Sequence, residues 1–393
     1  MTQLRILWHS VSPFTKTGYG KVTKYVALRI AQDYPLFISC YYGIQEGTTI
    51  KIGNTHCLPI HFQDSSYGEK AVKIYMKTFK CNLPILCSDF WPFEWFAKLP
   101  NSCFYGPVDC EDYAMKDAIK FQDWTYFIPC SKFGAKVYSK YTKKEPFAVI
   151  PHGVDTSIYR PLDKKTCRQH FNFPLDKFII GIVAANNDPE PRKGWDKMFL
   201  ALQQFLETNP DVKKKVFIFA FTEPIRKGGF DLAEMAIKCG LGDNLRFPQE
   251  ITTLTGLSEE EMAKLYNTFD VLLLGSRREG FCLPILEAQA CKVPVIAPKT
   301  SSIPELLQGR GFLARMKGTV FAPRGWKCQT VDEEDLAKKL EEAYFNKNLR
   351  QTYAKKGYKF AQTLDWNRVY EHYWKSTLKR LEEELDIKRR RII

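Results

Sequence analysis

VLLLGSRREGFCLPILEAQACKVPVI, residues 271–296, reads as a buried strand (Val271–Leu274), a loop (Gly275–Cys282), a helix (Leu283–Cys291) and a second buried strand (Val293–Ala297). Gly280 opens the turn between strand and helix. A unit of this kind aims free backbone N–H groups and the positive end of a helix dipole at one point. That point is an anion site, and phosphate is its usual occupant.

Two glutamates, Glu279 and Glu287, flank seven intervening residues. Glu279 sits in the loop and can face whatever lies beyond the helix end. Pro284 suits the first helical turn, where no N–H is needed. Glu287 falls about one turn into the helix. A carboxylate there accepts paired hydrogen bonds from vicinal hydroxyls, as on a ribose or hexose. Either glutamate alone is equally readable as a solvated helix residue or an ordinary loop acid. The segment as a whole carries the argument.

The chain around this stretch has 393 residues, enough for two domains of ordinary size. Its 45% hydrophobic and 14% aromatic content supports real cores. No run of about 18 apolar residues is present, so no membrane-spanning helix is expected. The start, MTQLRILWHSV, lacks the charged n-region and cleavage site of a signal peptide and reads as a first strand, Leu4–His9. Twelve cysteines are scattered with no CxxC pair and no metal-like spacing. Cys40, Cys87, Cys130 and Cys291 sit in apolar runs, as buried small hydrophobes do. The expectation is a reducing cytoplasm and no metal site. A net charge of +14 admits a nucleic-acid acceptor, peripheral contact with an anionic membrane, or a role in solubility alone. Local basic clusters occur at Lys213–Lys215 and Lys388–Arg391.

Along the chain, Leu4–His9, a loop with Gly18 and Gly20, and a helical pattern over 22–33 open a Rossmann-type unit. Strands follow at Leu36–Tyr41, Leu83–Cys87, Ser102–Tyr105 and Trp124–Pro129, with helices over 69–80 and 132–141. The aromatic run DFWPFEW, 89–95, fits core or rim, or an acceptor-binding face. Asp109 and Glu111 follow a strand end, where a carboxylate points into a Rossmann crevice; both also suit a helix start. A second α/β series begins with strand 178–184 and helix 194–208, joined by a turn holding Arg192-Lys193-Gly194. Strands at 216–221 and 245–247 and helices at 231–239 and 258–267 lead into the opening stretch. Two helices, 349–364 and 365–385, close the chain; the second places Val369, Tyr373, Ser376 and Leu378 near one face.

Glu279-Gly280-Phe281-Cys282-Leu283-Pro284-Ile285-Leu286-Glu287-Ala288 resembles the EGFGLPxLEA signature of retaining, nucleotide-sugar-dependent glycosyltransferases of family GT4. Pro151-His152-Gly153-Val154-Asp155, with Pro161, resembles that family's interdomain hinge. The resemblance implies an α/β GT-B fold: two Rossmann-like domains facing across a cleft, with the last helix crossing back to the first domain. It divides the chain into an acceptor domain, 1–155 with 367–393, and a nucleotide-sugar domain, 156–366. Arg192 and Lys193 would hold the donor's diphosphate, by charge-assisted bonds about twice as strong as neutral ones. Glu279 would hold the sugar, Glu287 the ribose, and Asp109 would lie near the transferred sugar. Gly280, Phe281, Cys282 and Leu283 would line the donor site. Gly18 and Gly20 would touch the diphosphate or sugar. The loop 248–255, with Ile251, would meet the base. His152 would be structural. Two positions depart from the pattern: Cys282 replaces Gly or Ser, and Asn187 stands at the usual Arg.

The implied reaction moves a sugar from an NDP-sugar, UDP- or GDP-linked, to a hydroxyl with retention, without cofactor or bound metal. Acceptors compatible with the chain are a glycan, a lipid-linked sugar or a nucleic acid. A nucleic-acid glycosyltransferase, an NDP-sugar epimerase of the same fold and a non-catalytic glycan-binding relative are the alternative readings.

Overall fold

A computed structural model describes residues 3–61, 64, 67–187, 190–249 and 256–390, with side chains through 387. Ile251 and most of the loop assigned to the base lie outside these residues, as do the side chains of the basic cluster from Lys388. Lys213–Lys215 are exposed. Among the described residues no helix is long and apolar enough to cross a membrane.

The chain forms two compact units. The first comprises Met1–Val108, Ala114–His152 and Trp366–Ile393. Its sheet has strands β1 (Ile6–Val11), β2 (Leu36–Tyr42), β3 (Ile50–Ile52), β4 (Thr55–Pro59), β5 (Leu83–Leu86), β6 (Cys103–Gly106) and β7 (Tyr126–Pro129). Their order is β3-β4-β2-β1-β5-β6-β7. All pairings are parallel except β3 with β4. β1 and β5 are fully or almost fully buried, as strands covered on both faces must be. The core is aromatic: Trp8 meets Tyr105 and Trp374, each with ring centroids 6.0 Å away. Phe90, Phe93 and Phe96 of the aromatic run are core residues, while Trp91 and Trp95 are half-buried. Phe93, Trp95 and Phe96 pack around His9, whose burial lowers its pKa to about 4.

Two expectations in this unit are corrected. Gly18 and Gly20 are not in a loop; they lie in the first turn of the helix Gly18–Val22, capped by Thr17. Gly20 is needed there because a Cβ would come within 2.2 Å of the Thr15 carbonyl oxygen. The C-terminal helix buries Trp366, Val369, Tyr370, Trp374, Leu378, Leu381 and Leu385, while Tyr373 and Ser376 are exposed. A π-helical turn at Tyr370–Trp374 adds a residue to the helical repeat and brings Trp374, not Tyr373, inward.

The second unit comprises Asp109–Tyr113 and Gly153–Asp365. It has β8 (Phe178–Val183), β9 (Val216–Phe221), β10 (Leu245–Arg246), β11 (Val271–Leu273), β12 (Val295–Pro298) and β13 (Phe312–Ala314). They form a parallel sheet ordered β10-β9-β8-β11-β12-β13. Ile180, Ile218, Val271 and Ile296 carry the core against Trp195, Phe199, Leu202 and Leu336. A separate antiparallel hairpin, β14 (Met316–Phe321) and β15 (Lys327–Val331), extends well beyond Thr319–Phe321, the part whose sequence reads as a strand. Asp112 bridges Lys327 of β15. His152, the last residue of the first unit before Gly153, is buried against Tyr105 and Trp366. Burial pushes its pKa down to about 3, which makes it a poor base.

Candidate active site

The strand order of the second sheet reverses between β8 and β11. Loops leaving the carboxyl ends of such neighbours diverge and open a crevice. The loop after β8 carries Arg192, Lys193 and Gly194; the loop after β11 carries Gly275 through Cys282. They touch at two glycines. A Cβ on Gly194 would lie 1.9 Å from the Gly275 carbonyl oxygen, and one on Gly275 would lie 2.6 Å from Met198 Cγ. Gly194 also adopts φ +66° at the head of the helix Trp195–Thr208. The Arg277 N–H donates to the Arg192 carbonyl at 2.8 Å, joining the two loops. Gly194→Ala must displace the Gly275 backbone and strain its own, and is expected to cost about 2–5 kcal/mol. Denaturant unfolding checks this, and a wild-type midpoint would show that the loops do not pack as described.

Lys193 and Glu279 meet at this contact, Nζ to Oε1, at 2.5 Å. Their side chains are only 18% and 9% exposed, so the pair is largely out of water. The Glu279 N–H donates to Ser301 Oγ at 2.8 Å, and the Ser302 hydroxyl donates to the Glu279 carbonyl at 2.8 Å. The small-residue turn after β12 thus fixes the backbone of the glutamate. Burial pushes the Glu279 carboxyl up, but Lys193 and then Arg192 outweigh it and hold the group below its ordinary 4.5. A depressed carboxyl contributes stability above its unfolded value, and this is lost as pH falls through the folded value. Unfolding free energy is therefore expected to decline as pH drops below 4.5, less steeply in Glu279→Gln. Equal slopes in a pH series of urea melts would count against the pairing.

The helix Leu283–Ala290 begins at Cys282, which adopts φ +78°, ψ +69°. This left-handed conformation explains why a glycine suits the position: a side chain there costs about 1–2 kcal/mol. Cys282 tolerates the site in size but not without backbone strain. Further along that helix, the Tyr266 hydroxyl donates to Glu287 Oε2 at 2.8 Å. Tyr266 is fully buried and Glu287 is 5% exposed. Burial, reinforced by the Glu287 charge, pushes the Tyr266 pKa far up, so the phenol stays a donor.

Asp109 is held by protein groups on both oxygens. Oδ2 faces the Arg278 guanidinium at 3.3 Å, and Oδ1 accepts from the Tyr113 hydroxyl at 3.0 Å. Glu111 is exposed. Gly280 and Phe281 are buried beside Cys282, and Leu283 is half-buried. Asn187 is exposed. Lys193, Glu279, Arg192 and, through Arg278, Asp109 thus fall in one region of the second unit. Gly18 and Gly20 belong to the first.

Three residues were not anticipated. Arg277 pairs with Asp196 at 2.8 Å, and Arg278 pairs with Glu190 at 2.8 Å while lying over the Trp326 ring. Both arginines are buried. Their signal was present, since two cations inside an otherwise apolar run need partners. Tyr266 carried a weaker one: a phenol on the apolar face of its helix needs an acceptor.

A cationic turn, a helix N-terminus and two buried carboxylates thus lie at the switch point of one of two Rossmann-like units, as in the GT-B fold. Residues 163–360, half of the chain, match the family model described as Glycosyl transferases group 1. The chain belongs to that family. A D-inositol 3-phosphate glycosyltransferase of Segniliparus rotundus is 27% identical over 183 residues, 46% of this chain and 37% of the relative. The same enzyme of Saccharomonospora viridis is 23% identical over 223 residues, 56% and 47%. The chain thus spans less than half the length of these curated relatives. Among solved structures, sucrose-phosphate synthase from Thermosynechococcus elongatus superposes with TM-score 0.73 at 16% identity, covering 98% of both chains. Anabaena Alr3699/HepE in complex with UDP and glucose superposes with TM-score 0.69 at 15% identity, covering 98% of this chain and all of the other.

Proposed function

We propose that this protein transfers a sugar from a nucleoside-diphosphate sugar to a hydroxyl acceptor with retention of anomeric configuration. The buried Lys193–Glu279 pair at the switch point carries the reading. The Anabaena neighbour, solved with UDP and glucose, supports a donor of that class. Lys193 and Arg192 meet the charge that builds on the departing diphosphate, aided by the N-terminus of the helix that Gly194 heads. Glu279 holds Lys193 in place and accepts hydrogen bonds from the sugar hydroxyls. Glu287, oriented by Tyr266, accepts from the ribose. With the leaving group neutralised by side chains, no cofactor or added metal is required. The diphosphate itself assists deprotonation of the incoming hydroxyl, and the protein's contribution is position and charge.

Calorimetry of the whole chain with UDP, GDP, ADP and their glucose conjugates tests the donor. NMR of the anomeric proton in the product, with EDTA present, tests retention and metal independence. Micromolar binding of one nucleotide and a product of unchanged configuration are expected. Absence of binding by every nucleotide would overturn the proposal, and an inverted product would overturn its retaining part.

A further inference from the structure

Cys110 and Cys328 are 218 positions apart in sequence, yet their sulfurs lie 3.8 Å from each other. Both are buried, at 3% and 7% exposure. The contact is built from both sides. Asp112 and Lys327 form an antiparallel bridge, with the Lys327 N–H donating to the Asp112 carbonyl at 3.0 Å. The Tyr113 ring meets Trp326 edge-on at 4.6 Å. The Arg278 guanidinium lies 4.9 Å over Trp326 and pairs with Asp109, the neighbour of Cys110. The two thiols therefore sit in a contact held on both sides by backbone, aromatic and ionic interactions.

We propose that Cys110 and Cys328 are a redox site that closes to a reversible disulfide when the protein meets a peroxide. Hydrogen bonding from Cys110 lowers the Cys328 pKa against the effect of its burial, with smaller help from the Arg278 charge, so Cys328 is the readier of the two to ionise. Its sulfur attacks a peroxide oxygen; the O–O bond breaks, hydroxide leaves, and a sulfenic acid remains on Cys328. The Cys110 sulfur then attacks the Cys328 sulfur. The S–S bond forms, the S–O bond breaks, and water leaves with the Cys110 proton. Two thiols are oxidised by two electrons and one peroxide is reduced to two waters. An external thiol reverses the change by exchange. The closed bond ties Asp109–Tyr113 to β15 and fixes Asp109 beside Arg278.

The test uses the full chain treated with hydrogen peroxide, quenched with N-ethylmaleimide and digested without reduction. Mass spectrometry is expected to find the Cys110 and Cys328 peptides joined, with loss of two hydrogens, and dithiothreitol should separate them. In Cys110→Ser, dimedone should trap a sulfenic acid on Cys328; in Cys328→Ser, no sulfenic acid should form on Cys110. The oxidised wild type should melt several degrees higher than the reduced one, because the bond closes a long loop. Recovery of both cysteines as separate maleimide adducts, or of either joined to a different cysteine, would overturn the proposal. The wild-type cross-link search stands even where a variant fails to fold.

Discussion

Lys193→Ala is expected to reduce the rate of sugar transfer by about two to three orders of magnitude, the usual effect of removing one preorganised charge-stabilising group. Lys193 sits where the loops after β8 and β11 touch, largely shielded from water, 2.5 Å from Glu279. In such a place its charge is little screened, so it acts strongly on an anion that grows in the transition state. Ground-state nucleotide affinity should fall less than turnover, because the charge on the diphosphate increases as the glycosidic bond breaks. The substitution also leaves Glu279 buried without its main partner. A cost of up to about 3 kcal/mol in stability is expected, limited by the remaining field of Arg192. The double variant Lys193→Ala/Glu279→Gln separates the two effects: it should recover stability but not rate. Initial rates and urea melts on the three proteins check this. Wild-type turnover in a folded Lys193→Ala protein would remove Lys193 from the mechanism.

The second large effect falls on binding. Glu287→Ala is expected to raise the nucleotide Kd by about 10- to 100-fold, the worth of hydrogen bonds to a charged acceptor. Tyr266→Phe should raise it by less, since it releases the carboxylate's orientation but keeps the charge. The two variants also differ in stability. Glu287→Ala strands the buried Tyr266 hydroxyl, at about 1–3 kcal/mol, whereas Tyr266→Phe removes one donor from a carboxylate that keeps its charge. Calorimetry with a ribonucleotide and its 2′-deoxy analogue gives the discriminating readout. Wild type should prefer the ribonucleotide, and Glu287→Ala should lose that preference. A retained preference would place the ribose elsewhere.

Residue type explains what was legible in advance. Residues 271–296 stood out because a parallel strand buried on both faces must be continuously apolar, and because charged residues inside that run need a purpose. The Lys193–Glu279 meeting was legible only as two separate signals, 86 residues apart, since pairing depends on the order of strands in the sheet. Cys282 carried a conformational requirement that a side-chain volume argument overlooks: φ +78° is a backbone demand, not a matter of size. The hairpin β14–β15 was only partly visible because β14 is mostly exposed and has no apolar alternation. The inward face of the C-terminal helix was misassigned at Tyr373 because the π-helical turn breaks the 3.6-residue period on which such a reading depends.

The composition of the first unit has a consequence for synthesis on the ribosome. Its core needs Trp366 and Trp374, which stack on Tyr25 and pack against Trp8. Those tryptophans are translated only after all of Gly153–Asp365, the larger part of the second unit. The part made first is therefore completed last, against the common N-terminal-first order. While residues 153–365 emerge and can collapse locally, the earlier strands wait with an aromatic surface uncovered, the kind of surface that holding chaperones bind. Limited proteolysis of a released chain ended at Asp365 reads this directly: residues 1–108 and 114–152 should be cut readily and those after 153 resist.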